Sequence, residues 1–495
     1  MENHNSSNTS FSTAQNSLFD KISNSTVLKL FVILFLSLLL LIPLTLISDL
    51  IEERKTREQS VSEDIALNWG QEQVISGPVL AIPYRETIQK PIEKINDATT
   101  LEYKQTKWIF ILPQNANITT DISPQQLSRG IYNSVVYNSS ISIDGRFNKI
   151  DVTKLEIPAE RIDWTGSRLV FGIQDFKGLG KRPLLSWNGQ ELTFDPDFNN
   201  LKLFSQNLVC PISISPNENE NHFKITLNLK GSKSLNFVPL SDQTNISARG
   251  NWANPSFVGA FLPTKRTIDK TNFSASWEIP SFSRKLPQQW SGDILPIYRF
   301  EKHKGSLTDD VELTQAATST ASNPIIPSDI LVNSDMITIN FLPDINNYQK
   351  TTRVAKYGIL IILLTFTSLL FTEIIKKKRI HIIQYVLIGA AMVLFYTLLL
   401  ALSEHIGFNL AYLIASIATV LLIGSFIKAI TKDPKTALLF GAILGTFYLF
   451  IYLLMQLRDY SLIAGTIGIF IILAILMRVS TKINWYQFDN NHADQ

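Results

Sequence analysis

Four ionisable side chains stand at the ends of long apolar stretches: Glu404 and His405 after one, Arg458 and Asp459 after another. Charges in or beside a membrane span are expensive to desolvate, so each is a functional hypothesis by default. If both connections are short and face the same compartment, the four form one cluster. Such a cluster can bind an ion, pass protons or seat a polar ligand, because His titrates near neutral pH and carboxylates tune it. The plainer reading, and the favoured one, is that these are solvated loop charges that fix helix ends. Glu373 precedes the basic run Lys376, Lys377, Lys378 and Arg379 and is expected to pair with Lys376 or Lys377. Gln384 and Tyr385 are expected to supply an interhelical hydrogen bond, and Gly441 and Gly445 (GAILG) to permit close helix approach.

Trp252, Phe257, Phe261 and Trp277 form an aromatic-rich segment in the polar middle of the chain. Most such rings fill a sandwich core. Trp252, Phe257 and Phe261, if they face outward, make a partner surface of the kind aromatic residues favour. The single cysteine, Cys210, excludes an internal disulfide and a cysteine-rich metal site, and reads as a small buried strand residue beside Val209 and Ile212. HExxH, GxSxG, Walker and CxxC patterns are absent, and the six His are scattered. The expectation is a protein with no catalytic residues, no metal and no cofactor. A net charge of +3, dispersed along the chain, argues against nucleic acid as a partner.

The elements that position these residues are set by hydropathy. A helix needs roughly 20 apolar residues to cross a bilayer, and lipid admits no open backbone groups. Five stretches meet this: Tyr357–Ile375, Ile382–Leu402, Leu410–Ile427, Ala437–Gln456 and Leu462–Met477. A further span lies at residues 25–48, longer than a signal-peptide core and without a cleavage site after it. Pro43 is placed to kink it. Connections between the C-terminal spans alternate between Lys/Arg-rich and Lys/Arg-poor, which puts both chain ends in the cytoplasm and residues 49–355 outside. Trp485 and Tyr486 read as an interfacial anchor.

Between the spans, residues 49–70 form a stalk helix with Val61, Ile65 and Trp69 on one face and Gly70 as its C-cap. That face is expected to dock on the domain that follows. Residues 71–354 alternate in the manner of Phe223, Ile225, Leu227 and Leu229, which predicts a large all-β, sandwich-like antiparallel domain. Residues 1–24 read as a disordered tail, 301–327 as a mobile loop, 355–479 as a five-helix bundle and 480–495 as a cytoplasmic tail.

Several long motifs in order carry a resemblance: GPVLAIPY from Gly77, NWANPSFVGAFLP from Asn251, KLPQQW from Lys285, AKYGILIILLTF from Ala355, IQYVLIGAAMVLFYTLLLALSEHIGF from Ile383, RDYSLIAGTIGIF from Arg458 and KINWY from Lys482. From about Asp49 to Gln487 the chain resembles the CreD-type inner-membrane proteins associated with cell-envelope integrity in Gram-negative bacteria. It departs at Arg458, where an acidic or neutral residue is expected, at Asn484, where Asp is expected, and in the loop Thr314–Asn323. The resemblance implies this topology, localisation in the bacterial inner membrane and a link to envelope stress tolerance. It implies no catalytic residue or ligand.

Two functions of different class follow. The first is a non-enzymatic envelope-integrity protein whose β-domain binds a peptidoglycan, lipid or protein partner while the lipid bilayer holds its helices. The alternative is a transporter or permease accessory that moves a small solute or lipid through the five-helix bundle. A tethered hydrolase would need a clustered acid, base or nucleophile that the sequence does not display.

Overall fold

The computed structural model describes residues 26–91, 100–151, 155–198, 201, 203–216, 218–284, 286–292, 297, 336–341, 347–376, 380–457 and 461–481. The expected tails, the loop 301–327, Trp485 and Tyr486 lie outside the described residues. The chain divides into two compact units, residues 1–58 with 345–495, and residues 59–344.

The first unit is helical. Its elements are α1 (Thr26–Leu39), α2 (Leu41–Trp69), α3 (Asn347–Lys356), α4 (Gly358–Lys376), α5 (Ile382–Ile406), α6 (Phe408–Thr431), α7 (Pro434–Gln456) and α8 (Ser461–Ser480). Helix α2 runs on through Glu58 into the second unit. Among the described residues five helices are long and apolar enough to cross a membrane, Leu30–Trp69 of α1 and α2 counting as one, and a sixth span is obtained when α3 and α4, bent by 42° at Tyr357, are taken together. The expected spans at 382–402, 410–427, 437–456 and 462–477 lie inside α5 to α8, the one at Tyr357–Ile375 begins at the bend and follows α4, and the described part of 25–48 is divided between α1 and α2 at Leu40. The interruption between α1 and α2 falls at Leu40, near Pro43, which has no N–H to donate to the carbonyl of Leu39. Helix α7 is started by Asp433, whose carboxylate accepts from Lys435 N (3.0 Å) and Thr436 Oγ1 (2.6 Å), with Pro434 in the first turn.

Close helix approach comes from glycines other than the expected pair, namely Gly358, Gly389 and Gly468. A Cβ on Gly468 would lie 2.2 Å from the Phe450 ring, so α8 meets α7 there only because residue 468 has none. A Cβ on Gly441 would reach Val420 at 3.8 Å, and one on Gly445 would meet nothing within 4 Å. The GAILG pattern therefore does not make the tight contact.

The second unit opens with the C-terminal part of α2 and then builds two packed sheets. The strands are β1 (Gln73–Pro91), β2 (Thr100–Ile111), β3 (Asn115–Arg129), β4 (Tyr132–Asn148), β5 (Arg168–Ile173), β6 (Leu184–Trp187), β7 (Gln190–Thr193), β8 (Asp195–Asp197) and β9 (Gln206–Pro211). They continue with β10 (Glu220–Ser232), β11 (Ser234–Val238), β12 (Gln243–Gly250), β13 (Pro255–Gly259), β14 (Lys265–Ile268), β15 (Phe273–Ile279), β16 (Gln289–Gly292) and β17 (Ile337–Phe341). One sheet has the order β13-β17-β11-β1-β5-β9-β8, with β2 and then β16 joined beside β1. The other has the order β14-β15-β12-β3-β4-β10-β6-β7.

Pairing is antiparallel except at two places, where β1 runs parallel to β11 and β3 parallel to β12. The expected antiparallel sandwich is corrected at these two ladders. Each joins strands far apart in the chain, whose direction no local turn fixes.

Strand β10 shows the expected alternation: Phe223, Ile225, Leu227 and Leu229 face the core and Lys224, Thr226 and Asn228 face out. Strand β1 does not alternate. Val79, Leu80, Ala81 and Ile82 are all buried, because the nine-stranded sheet is covered on both faces. Leu80 and Ile82 join the core between the sheets, and Val79 and Ala81 a second cluster with Phe110, Val170 and Phe204.

Helix α2 packs on the β-domain through a face shifted by one residue from the expected Val61, Ile65 and Trp69, which are half-buried. Ala66 is buried, the Trp69 indole lies under the Lys230 ammonium (4.8 Å), and Ser62 Oγ meets Ser134 Oγ at 2.8 Å. Where β1 begins, Gln73 is fully buried. Its Nε2 donates to the carbonyls of Asp175 (3.1 Å) and Lys230 (3.0 Å), and its Oε1 accepts from Asp175 N (3.2 Å). A Cβ at Gly178 would lie 2.5 Å from that Nε2, so the approach depends on glycine.

Candidate functional site

Glu404 is held at one end of the helical unit by three elements. Helix α5 continues beyond the expected span to Ile406, because Gly407 (φ 78°) is the single residue that turns the chain into α6. Glu404 and His405 are thus helical, not loop residues. The Glu404 carboxylate accepts a hydrogen bond from Tyr348 Oη of α3 (3.1 Å) and stands 3.9 Å from Arg54 Nε of α2. Its side chain is 11% exposed, against 40% for Arg54. Next to it, Asn347 Nδ2 donates to Ser403 O (3.4 Å) and the Lys350 ammonium lies 5.3 Å from the centre of the Phe408 ring.

The structure therefore brings Glu404 together with Arg54 and Tyr348. His405 is exposed and makes no contact of note among the described residues. Arg458 and Asp459, the other half of the expected cluster, lie outside them. A hydrogen bond to a charged acceptor is worth about 1.5–3 kcal/mol, whereas the long, half-exposed ion pair to Arg54 adds about 0–1 kcal/mol. The carboxylate ties helices together more than it presents charge to a ligand.

At the other end of α5, Glu373 has the same role. It is 7% exposed and accepts from Tyr385 Oη (3.1 Å) and from Ile380 N (3.3 Å). The lysine side chains expected to pair with it lie outside the described residues. Of the two residues expected to bond between helices, Tyr385 does so. Gln384 instead closes a capping box on its own helix, its Oε1 accepting from His381 N (3.0 Å).

In the β-domain the candidate aromatic surface is corrected at Phe257. That ring is buried against Trp277 (5.6 Å) and Phe273 (6.0 Å), because β13 pairs with β17 at the edge of the inter-sheet core. Trp252 and Phe261 are partly buried and pack on the same core, and the Phe261 carbonyl accepts from Trp277 Nε1 at 3.2 Å. Exposed apolar side chains occur elsewhere, at Leu262 (70%), Phe198 (75%) and Phe282 (87%).

Cys210 is buried, as expected, and desolvation followed by the nearby Asp195 charge pushes its thiol up to about 11. Among the described residues no three His, Cys, Asp or Glu side chains converge as metal ligands would.

Sequence reasoning missed Arg54, Tyr348 and Gln73. Arg54 and Tyr348 sit in polar stretches among other charges, and the buried Gln73 follows a helix end. The available signal was only that α3 is polar yet keeps Tyr348, Thr351, Val354 and Ala355 at helical spacing.

Fold and site together define a multi-pass membrane protein that carries one large two-sheet β-domain. The chain belongs to the CreD family: the family model described as "Inner membrane protein CreD" matches residues 25–486. It is 30% identical over 455 residues to the inner membrane protein CreD of Escherichia coli (strain K12), an alignment that covers 91% of this chain and 92% of that protein. Its place is accordingly the inner membrane.

Proposed function

We propose that the protein supports cell-envelope integrity through its β-domain, which binds a wall, lipid or protein partner in the periplasm while the helices anchor it. The observation that carries this reading is the use made of two carboxylates in the helical unit, the buried Glu373 and the largely buried Glu404. Glu373 and Glu404 are both engaged by tyrosine hydroxyls that join helices. The β-domain, among the described residues, carries an open polar surface. On its eight-stranded sheet, Ser276, Ser247, Thr119, Ser142 and Thr226 stand in one row across five strands. Beside that row Asn245 Nδ2 donates to Asn117 Oδ1 (3.0 Å), whose amide donates to Asp144 Oδ2 (3.2 Å). A face of hydroxyls and amides suits a polar partner that hydrogen-bonds along it. The orientation rests on the alternation of Lys and Arg between connections.

The test is complementation of envelope-stress survival in a strain lacking the protein. Wild type is compared with the Glu404→Gln/His405→Ala/Asp459→Asn variant and with a deletion of Gly77 to Asp344, each checked for membrane insertion. Rescue by the triple variant but not by the deletion is expected. Failure of a correctly inserted triple variant would overturn the reading in favour of a functional membrane cluster.

A further inference from the structure

Beside the bend between α3 and α4 lies the buried phenol of Tyr396, and a second buried phenol, Tyr448, packs on the same Phe395 ring. The Tyr396 and Tyr448 hydroxyls have no hydrogen-bond partner among the described residues, although the two residues are only 1% and 2% exposed. A buried hydroxyl without a partner costs about 1–3 kcal/mol, and such groups in native proteins are ordinarily satisfied by ordered water. Both rings pack against Phe395, at centroid distances of 5.0 and 4.6 Å. A third phenol, Tyr412, stands 5.6 Å from the same ring and donates to the Tyr448 carbonyl at 2.7 Å.

Tyr396 Oη points at the bend. It lies 3.1 Å from where a Cβ on Gly358 would be, and residue 358 is the first of α4. The backbone crosses the bend with Tyr357 N donating to Val354 O (3.1 Å) and Ile361 N to Tyr357 O (3.3 Å). Irregular backbone at such a place in a membrane protein is tolerated where it is buried in protein or lines a wet cavity.

Helix α3 covers this region. Its buried face is Tyr348, Thr351, Val354 and Ala355, and Gln349, Arg353 and Lys356 are exposed on the other side. With ten residues it is too short to persist alone in water. Its position depends on tertiary contacts, and three of these fall on one short stretch of chain: Tyr348 on Glu404, Asn347 on the Ser403 carbonyl and Lys350 over Phe408.

We propose that α3 is a lid, hinged at Tyr357–Gly358 and clasped onto residues 403–408, that closes a hydrated chamber into which the Tyr396 and Tyr448 hydroxyls project. The ligand of the closed chamber is water. The chamber opens toward the end of the bundle where Gly407 lies, whichever way the chain is oriented.

The experiment uses the full-length protein in lipid nanodiscs, where both faces are accessible, in a Cys210→Ser background. A Thr351→Cys probe sits on the underside of the lid, and an Ala415→Cys probe sits buried in α6 away from it. Labelling with a charged maleimide at Thr351→Cys is expected to be slow and to accelerate about tenfold when Tyr348→Phe removes the clasp's charge-assisted hydrogen bond. Ala415→Cys should stay unreactive in both backgrounds. Equal rates with and without Tyr348→Phe, fast labelling of the parent, or a parallel rise at Ala415→Cys would each overturn the lid. For the chamber, Tyr396→Phe and Tyr448→Phe are heated and followed by helical circular dichroism. A hydrated site predicts an unchanged or lower melting temperature. A rise of several degrees on either substitution means a dry hydroxyl and refutes the chamber.

Discussion

Replacing Gln73 by Leu should be among the most damaging single changes in the β-domain. The side chain is fully buried at the point where the chain leaves α2 and enters β1, and it serves three backbone groups of two other segments. Leu removes the acceptor for Asp175 N, whose desolvation then costs about 1–3 kcal/mol, and removes one bond from each of two carbonyls at about 0.5–1.5 kcal/mol apiece. The sum is about 2–6 kcal/mol, against a stability of about 5–15 kcal/mol for a whole domain. Rearrangement is blocked, since Cβ positions on Gly178 and Gly231 already fall within 2.5 and 2.9 Å of the Gln73 side chain. Gln73→Glu keeps the shape and the acceptor but sets a carboxylate against two carbonyl oxygens, and should be worse than Leu at pH 8. Unfolding in urea can be read for this domain alone, because seven of the eight tryptophans lie between residues 59 and 344. A Gln73→Leu midpoint within about 0.5 kcal/mol of wild type would refute the reasoning, because losses at the named mechanisms exceed that.

Cys210 should resist maleimide at pH 7.5 in the folded protein and react at the rate of a free thiol once urea unfolds the β-domain; rapid labelling of the native state would contradict its burial and its raised pKa. The Asp163 carboxyl is held below the usual range by the Thr165 hydroxyl (2.7 Å) and then by Gly166 N (3.1 Å). Its folded pKa is depressed, so its contribution is complete above the ordinary carboxylate value of about 3.9 and disappears as the pH falls through the folded value. Asp163→Asn should therefore lower the urea midpoint at pH 7 and converge with wild type near the acid limit. In the helical unit, Tyr385→Phe removes the hydroxyl that reaches Glu373 and should cost about 0.6 kcal/mol, the average for an interhelical bond in a membrane protein. Glu373→Leu also strands Ile380 N and should cost more, measured as the loss of folded protein on titration with denaturing detergent.

The membrane spans and the β character of the middle segment were legible in the sequence because each depends on a local period. About 20 apolar residues make a span whatever follows them, and Phe223 to Leu229 alternate whichever strand they pair with. The burial of Cys210 and the docking of Trp69 follow from the same patterning. Partners were not legible. Glu404 was visible as a costly charge, but its companions are Arg54 and Tyr348, from segments that hydropathy reads as polar connections. Aromatic rings such as Phe257 were expected mostly to fill the core, with an outward partner surface as the alternative, and the pairing of β13 with β17 decides that Phe257 faces in. The parallel ladders of β1 with β11 and β3 with β12, the service of Gln73 to Asp175 and Lys230, and the bend over Tyr396 each need segments far apart in the chain brought into contact. A sequence period reports which side of an element is apolar, and only the folded chain decides which polar atom meets which.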